Sequence, residues 1–285
     1  MTLTEPAAAP AASRVARLGR SLGWRLLALS VTSLLFIGGI FLFQDKLLYF
    51  PENPPLEAVL ADARRRNLEP WPDRDAYRGL LREPAGVARA TIVFFHGNAG
   101  RAGQREIYAD ALTRHGVRVL LAEYPGYGAR PGTLGEAALV ADATATLALV
   151  RSAFPGPLIV AGESLGAGVA AAIAKSTHAS AVLLITPWDR LASIARHHYP
   201  WLPTGWLLRD RYDSAAHLVG YGGRVAMVIA GHDSIVPPEY ARRLYASLGP
   251  NKRSWTVPAA GHNDWTDGVD PAWWASLAGF LLDSE

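Results

Sequence analysis

The stretch PLIVAGESLGAGVAAAIA, residues 157–174, decides how this chain is read. Leu158 to Ala161 is a short run of branched and aliphatic residues, the composition of a buried strand. Gly162-Glu163-Ser164-Leu165-Gly166 is a sharp turn, and the Ala-rich run that follows has the composition of a helix. The strand–turn–helix setting gives the two glycines a physical task, since a side chain at either position would collide with the neighbouring strand or helix. Ser164 is thereby expected to stand exposed at the N-terminus of a helix.

Working outward, apolar runs alternate with longer helical stretches. Thr91 to Phe95, Val117 to Ala122, Ala181 to Ile185, Val225 to Ala230 and Ser254 to Val257 read as further strands. Arg105 to His115, Gly135 to Arg151, Leu165 to Lys175 and Pro238 to Ser247 read as helices. Alternation of this kind predicts a doubly wound, mostly parallel α/β sheet covered on both faces. Reactive groups in such a sheet gather where the strands end at their carboxyl side.

A serine hydroxyl is a weak nucleophile, so it needs a base and a carboxylate to orient that base. Strand Val225 to Ala230 runs into Gly231-His232-Asp233, and the last strand leads into Ala260-Gly261-His262. Ser164, Asp233 and His262 follow in the order such a fold uses, whereas Asp264 and Asp267 lie too near His262 in sequence to face its ring easily. An oxyanion needs two preorganised N–H donors, and the amides of Leu165 and of Asn98, in the turn His96-Gly97-Asn98-Ala99-Gly100, are the candidates. His96 reads as a residue that braces this turn. No cofactor and no metal is expected, and the complete absence of cysteine excludes a thiolate nucleophile and any disulfide framework.

Among the first 50 residues stand five basic groups (Arg14, Arg17, Arg20, Arg25, Lys46) and two acidic ones (Glu5, Asp45); the remaining 23 basic and 23 acidic residues cancel. A neutral body has no broad footprint for nucleic acid. The basic tail, residues 1–25, instead precedes LLALSVTSLLFIGGIFLF, an uncharged run that nearly spans a hydrocarbon core, and a transmembrane anchor is expected over 26–45. Bulky Phe41, Leu42 and Phe43 at its end argue against cleavage as a signal peptide. The excess of arginine before the run predicts a cytoplasmic N-terminus and a catalytic domain on the far side, periplasmic in a bacterium; a transit sequence is the other reading of such a leader.

These motifs together resemble α/β-hydrolase fold serine hydrolases, and more narrowly the membrane-anchored α/β-hydrolase domain-containing group. The resemblance is carried over 46–285 by Gln44-Asp45-Lys46-Leu47-Leu48-Tyr49-Phe50-Pro51, the turn at His96, Glu123-Tyr124-Pro125-Gly126-Tyr127-Gly128, the serine turn and Leu208-Arg209-Asp210-Arg211-Tyr212-Asp213-Ser214. It implies hydrolysis of carboxylic esters or thioesters of a small-molecule or lipid-like acyl substrate, through Ser164, Asp233 and His262 without a cofactor. A peptidase of the same fold and a non-catalytic scaffold are the alternatives. Two departures stand out: Glu123 where relatives commonly carry Asp, and Ala129-Arg130-Pro131-Gly132 where they often carry a small hydroxyl residue. The aromatic stretch 187–213, with Trp188, Tyr199, Trp201 and Trp206, is expected either to close the core over the sheet edge or to form a small cap roofing Ser164.

Overall fold

The computed structural model describes residues 11–283, with side chains from residue 23 onward, and divides after Gln44 into two units. Positions 1–10 of the expected basic tail lie outside the described residues. Helix α1 (Ala11–Leu48) contains a segment, Gly23–Leu48, long and apolar enough to cross a membrane. Its length and apolarity suit an anchor or a signal sequence, and none of its apolar window is buried against protein.

In the second unit, eight strands form one sheet: β1 (Glu69–Trp71), β2 (Gly79–Arg82), β3 (Ala90–Phe95), β4 (Val117–Ala122), β5 (Leu158–Glu163), β6 (Ala181–Ile185), β7 (Arg224–Ala230) and β8 (Lys252–Val257). Their spatial order is β8-β7-β6-β5-β3-β4-β2-β1. The six strands from β3 onward run parallel, whereas β1 and β2 form an antiparallel edge against β4. That edge was not expected from the sequence. Both strands are short, and Pro70 in β1 removes a ladder donor, which an edge strand tolerates.

Strands β3 to β7 are buried on both faces, so the alternation of their side chains feeds two cores, whereas the outer strand β8 buries Trp255 and Val257 and exposes Arg253 and Thr256. Val93 and Phe95 point into one, with Leu139, Leu147 and Val150 of α4 (Glu136–Ala153) and Val169 of α5 (Leu165–Ala174). Ile92 and Phe94 point into the other, with Val59 of α2 (Leu56–Arg65), Tyr108 and Leu112 of α3 (Glu106–Thr113) and Leu277 of the C-terminal helix Pro271–Leu282. The four expected helices are present, with ends shifted by at most two residues.

Register then places the site. Phe95 pairs with Gly162, Glu163 with Ile185, and Ala230 with Val257, so the carboxyl ends of β3, β5, β7 and β8 lie along one edge. The strand order reverses around β3, which opens the crevice there.

The segment leaving α1 is stitched to this edge from the second unit's side. Phe50 N–H donates to the Asn98 carbonyl (2.8 Å), and Asn98 Nδ2 donates to the Leu48 carbonyl (2.8 Å). Tyr49 is buried, and its hydroxyl donates to Asp210 Oδ2 (2.5 Å) and lies 2.9 Å from the Tyr212 hydroxyl. Burial first, and these neighbours second, push the Tyr49 phenol far above its ordinary range, so it stays a donor. Asp210 also accepts the Glu136 amide (3.0 Å). Asp210→Ala should therefore cost about 1.5–3 kcal/mol, the loss of charge-assisted bonds to partly buried donors, read as a lowered midpoint in urea unfolding, and Asp210→Asn should recover part of it.

Candidate active site

Ser164 sits between β5 and α5 at φ +52°, ψ −117°, a conformation that costs a non-glycine residue about 1–3 kcal/mol. The glycines on either side make it possible. A Cβ on Gly162 would lie 2.1 Å from the Gly166 carbonyl oxygen, and one on Gly166 would lie 2.1 Å from the Phe95 carbonyl oxygen. The Ser164 amide donates to the Ile185 carbonyl (2.9 Å), which fixes the turn to β6.

His262 and Asp233 come from the loops after β8 and β7, and the structure brings them together: His262 Nδ1 lies 2.6 Å from Asp233 Oδ2. Asp233 Oδ1 accepts the amides of Ile235 (2.9 Å) and Val236 (2.7 Å), so the carboxylate is held at both oxygens. Nδ1–H donating to Asp233 sets the tautomer and leaves Nε2 as the acceptor. Both side chains are nearly enclosed, at 8% and 2% exposed. Asp264, the competing carboxylate, is turned to the Gly261 amide (2.6 Å).

Ser164, His262, Leu165 and Asn98 line one cavity of about 710 Å³. The amide of Leu165 is the first of α5 and has no partner within the helix. In the facing loop, the Gly97 amide is occupied by Glu163 Oε1 (3.3 Å), whereas the Asn98 amide has no hydrogen-bond acceptor among the described residues. His96 braces the loop, with Nδ1 against the Gly97 carbonyl (2.8 Å) and Nε2 against Glu123 Oε1 (3.1 Å). The histidines of the aromatic stretch are engaged elsewhere, His198 on the Ile235 carbonyl (2.9 Å) and His197 beside Tyr240 (3.3 Å). Among the described residues no cluster of three or more His, Asp or Glu side chains could hold a metal ion.

The two departures noted in the sequence stay outside the cavity. Glu123 accepts the Ala102 amide as well as His96, and Arg130 makes a two-pronged pair with Asp142 (2.7 Å each). The aromatic stretch divides in a way the sequence did not reveal. Trp188, Leu191 and Ile194 of α6 (Leu191–His198) and the turn before it line the cavity, whereas Trp201 and Trp206 are exposed and do not.

The residue that sequence reasoning passed over is Glu163. Its Oε2 accepts the Tyr108 hydroxyl (2.6 Å), its Oε1 accepts the Gly97 amide, and Arg105 Nε donates to it as well. Burial alone would raise its pKa, but the Arg105 charge and these hydrogen bonds outweigh it and hold the carboxyl below the ordinary range. Three elements are thus tied to the position next to Ser164. A charged residue before a turn serine gives no sequence signal for this, because Arg105 and Gly97 are distant in sequence.

The comparisons agree with this architecture. Residues 86–209 match the family described as serine aminopeptidase, S33. The Mycobacterium tuberculosis protein Rv2307c is 34% identical over 240 residues, covering 81% of this chain and 85% of its own length. The chain belongs to the α/β-hydrolase family. The Caenorhabditis elegans α/β-hydrolase domain-containing protein aho-3 is 29% identical over 185 residues, covering 64% of this chain and 54% of its own. Among solved structures, the butyrate-bound esterase Est2 from Thermogutta terrifontis superposes with a TM-score of 0.57 at 19% identity, over 71% of this chain and 87% of its own, a likeness of fold.

A group whose pKa is depressed by folding adds stability above its unfolded value, near 4.3 for Glu, and loses it as the pH falls through the folded value. Glu163→Gln should therefore lower stability by about 1.5–3 kcal/mol at neutral pH and shrink the difference from the wild type below about pH 4. Thermal melts across that range test this, and a constant gap at every pH would refute it.

Proposed function

We propose that this protein is a membrane-anchored serine hydrolase that cleaves carboxylic esters or thioesters through an acyl-enzyme on Ser164. The observation that supports it most is the 2.6 Å contact between His262 Nδ1 and Asp233 on the wall of the cavity that also holds Ser164. His262 Nε2 takes the Ser164 proton as Oγ attacks the acyl carbon. The carbonyl oxygen, now an oxyanion, is met by the amides of Asn98 and Leu165. The C–O or C–S bond then breaks, the leaving group takes the proton from His262, and the acyl chain stays on Ser164. Water reverses the sequence: it gives a proton to His262, attacks the acyl carbon, and Ser164 regains its proton as the acid departs. Asp233 stabilises the imidazolium in both halves.

The aminopeptidase name of the matched family favours a second reading, hydrolysis of peptides at a free N-terminus. Such a substrate carries an ammonium that calls for a carboxylate. Among the described residues, the carboxylate that lines the cavity, Glu163, is engaged by Arg105, Tyr108 and Gly97, and Asp233 by His262 and two amides. The aliphatic wall at Leu191, Ile194 and Val236 suits an acyl chain better.

Two experiments test the proposal. Ser164→Ala should abolish labelling by a fluorophosphonate and lower hydrolysis of p-nitrophenyl butyrate by about three or more powers of ten with an unchanged melting temperature. Retained labelling would remove Ser164 from the mechanism. For topology, the four arginines ahead of the apolar helix predict that a phosphatase fused after Glu285 is active and a reporter that matures only in the cytoplasm is dark. The reverse pattern would place the catalytic unit inside.

A further inference from the structure

The exposed tryptophans of the aromatic stretch are unexplained by the cavity. Trp206, on the short helix Thr204–Leu207, is 92% exposed, an unusual position for a large aromatic residue in water. Two exposed guanidiniums flank this part of the chain: Arg196 in the last turn of α6, and Arg211, whose Nη1 lies 3.5 Å from the Gly205 carbonyl oxygen. Neither pairs with a carboxylate among the described residues. An aromatic ring with an apolar body and a polar edge, set among unneutralised arginines, matches the chemistry of an anionic lipid headgroup layer.

Two further observations favour a bilayer on this side. Leu48 is both the last residue of the segment able to cross a membrane and a wall residue of the cavity. The far end of the aromatic stretch is tied to the same turn, since Arg209 Nη2 donates to Asp45 Oδ1 (2.6 Å) and Asp210 accepts from Tyr49. The cavity itself has an apolar rim: Phe50, Ile107 and Ile235 line it and are each about half exposed (52%, 43% and 49%). A soluble ester gains nothing from an oily rim at the end of a membrane span. A lipid can slide across it without exposing its chain to water.

We propose that the aromatic stretch docks through Trp206, Arg196 and Arg211 on the anionic surface of the membrane that holds the N-terminal helix, and that the cavity takes its ester substrate, an acyl lipid, from that leaflet. The proposal rests on the anchored-hydrolase reading given above and names the substrate class of the same site.

The test uses the full chain in vesicles of phosphatidylcholine and phosphatidylglycerol. Because the protein has no cysteine, Trp206→Cys provides a unique site for a fluorophore, and Val87→Cys, in the exposed loop before β3 at the opposite end of the strands, provides the control. Doxyl-labelled phosphatidylcholine should quench the probe at 206 at least about threefold more than the probe at 87, as expected for a group seated in the headgroup region. Trp206→Ala should lower hydrolysis of a long-chain ester presented in these vesicles by about five- to tenfold and leave soluble p-nitrophenyl butyrate unaffected, with added salt producing a similar selective loss. Equal, weak quenching at both sites in vesicles that carry the protein on flotation would overturn the docking while leaving the hydrolase intact. Failure to float would overturn the anchor and the docking together. Wild-type hydrolysis of butyrate but not of the vesicle ester would overturn the lipid substrate alone, and absence of both hydrolyses would instead strike the hydrolase reading on which it rests.

Discussion

The contact on which the site depends is the approach of Gly166 to the end of β3. With a Cβ-free residue at 166, the start of α5 comes close against the carbonyls of Phe95 and His96, and with another at 162 the turn folds back on itself. Only then can Ser164 occupy its positive-φ conformation, with Leu165 and Asn98 lining one cavity. The cost of that backbone is of order a few kcal/mol, small beside the burial of β5 and α5 on both sides of the turn. The turn that carries Ser164, the proposed nucleophile, is thus held by the cores on either side of it together with the Ser164 amide's bond to Ile185.

Asp233 and His262, the proposed partners of Ser164, are positioned by a different means. Asp233 and His262 lie in loops, and loops hold geometry only when their polar groups are used up. The amides of Ile235 and Val236 fix Asp233 Oδ1, His262 fixes Oδ2, and the His232 amide donates to the Ala260 carbonyl (2.8 Å), tying the two loops together. The enclosure of the pair strengthens each bond and removes competing water.

The sequence made the central strands, the helices between them and the members of the proposed site legible, because each depends on local pattern: β-branched and aliphatic runs, a glycine-flanked serine, a His and an Asp just past strand ends. The parallel strands β3 to β7 are buried on both faces, so their composition carries the signal. The edge strands Glu69–Trp71 and Gly79–Arg82 are too short and too mixed to stand out, and their pairing is a long-range fact. The same holds for Glu163, whose three donors come from Gly97, Arg105 and Tyr108. The aromatic stretch was legible as an insert but not as two faces. Trp188 and Trp206 look alike in sequence, and only the fold turns one into the cavity and the other outward.

The loop that offers the Asn98 amide has a support that runs back to the apolar helix. Asn98 gives its side-chain donor to Leu48 and its carbonyl to both Phe50 and Tyr127, while the preceding Gly97 gives its amide to Glu163. With the residue held on its carbonyl and side chain, and its predecessor held on its amide, the remaining N–H has one direction left. A preorganised donor is worth most when nothing needs to rotate as the charge develops. Leu48 and Phe50, where the chain leaves the apolar helix, therefore support the loop of the proposed site. Leu48 is both the last residue of the apolar segment and a wall residue of the cavity, so the chain that leaves this segment also supports the loop of the proposed oxyanion donor.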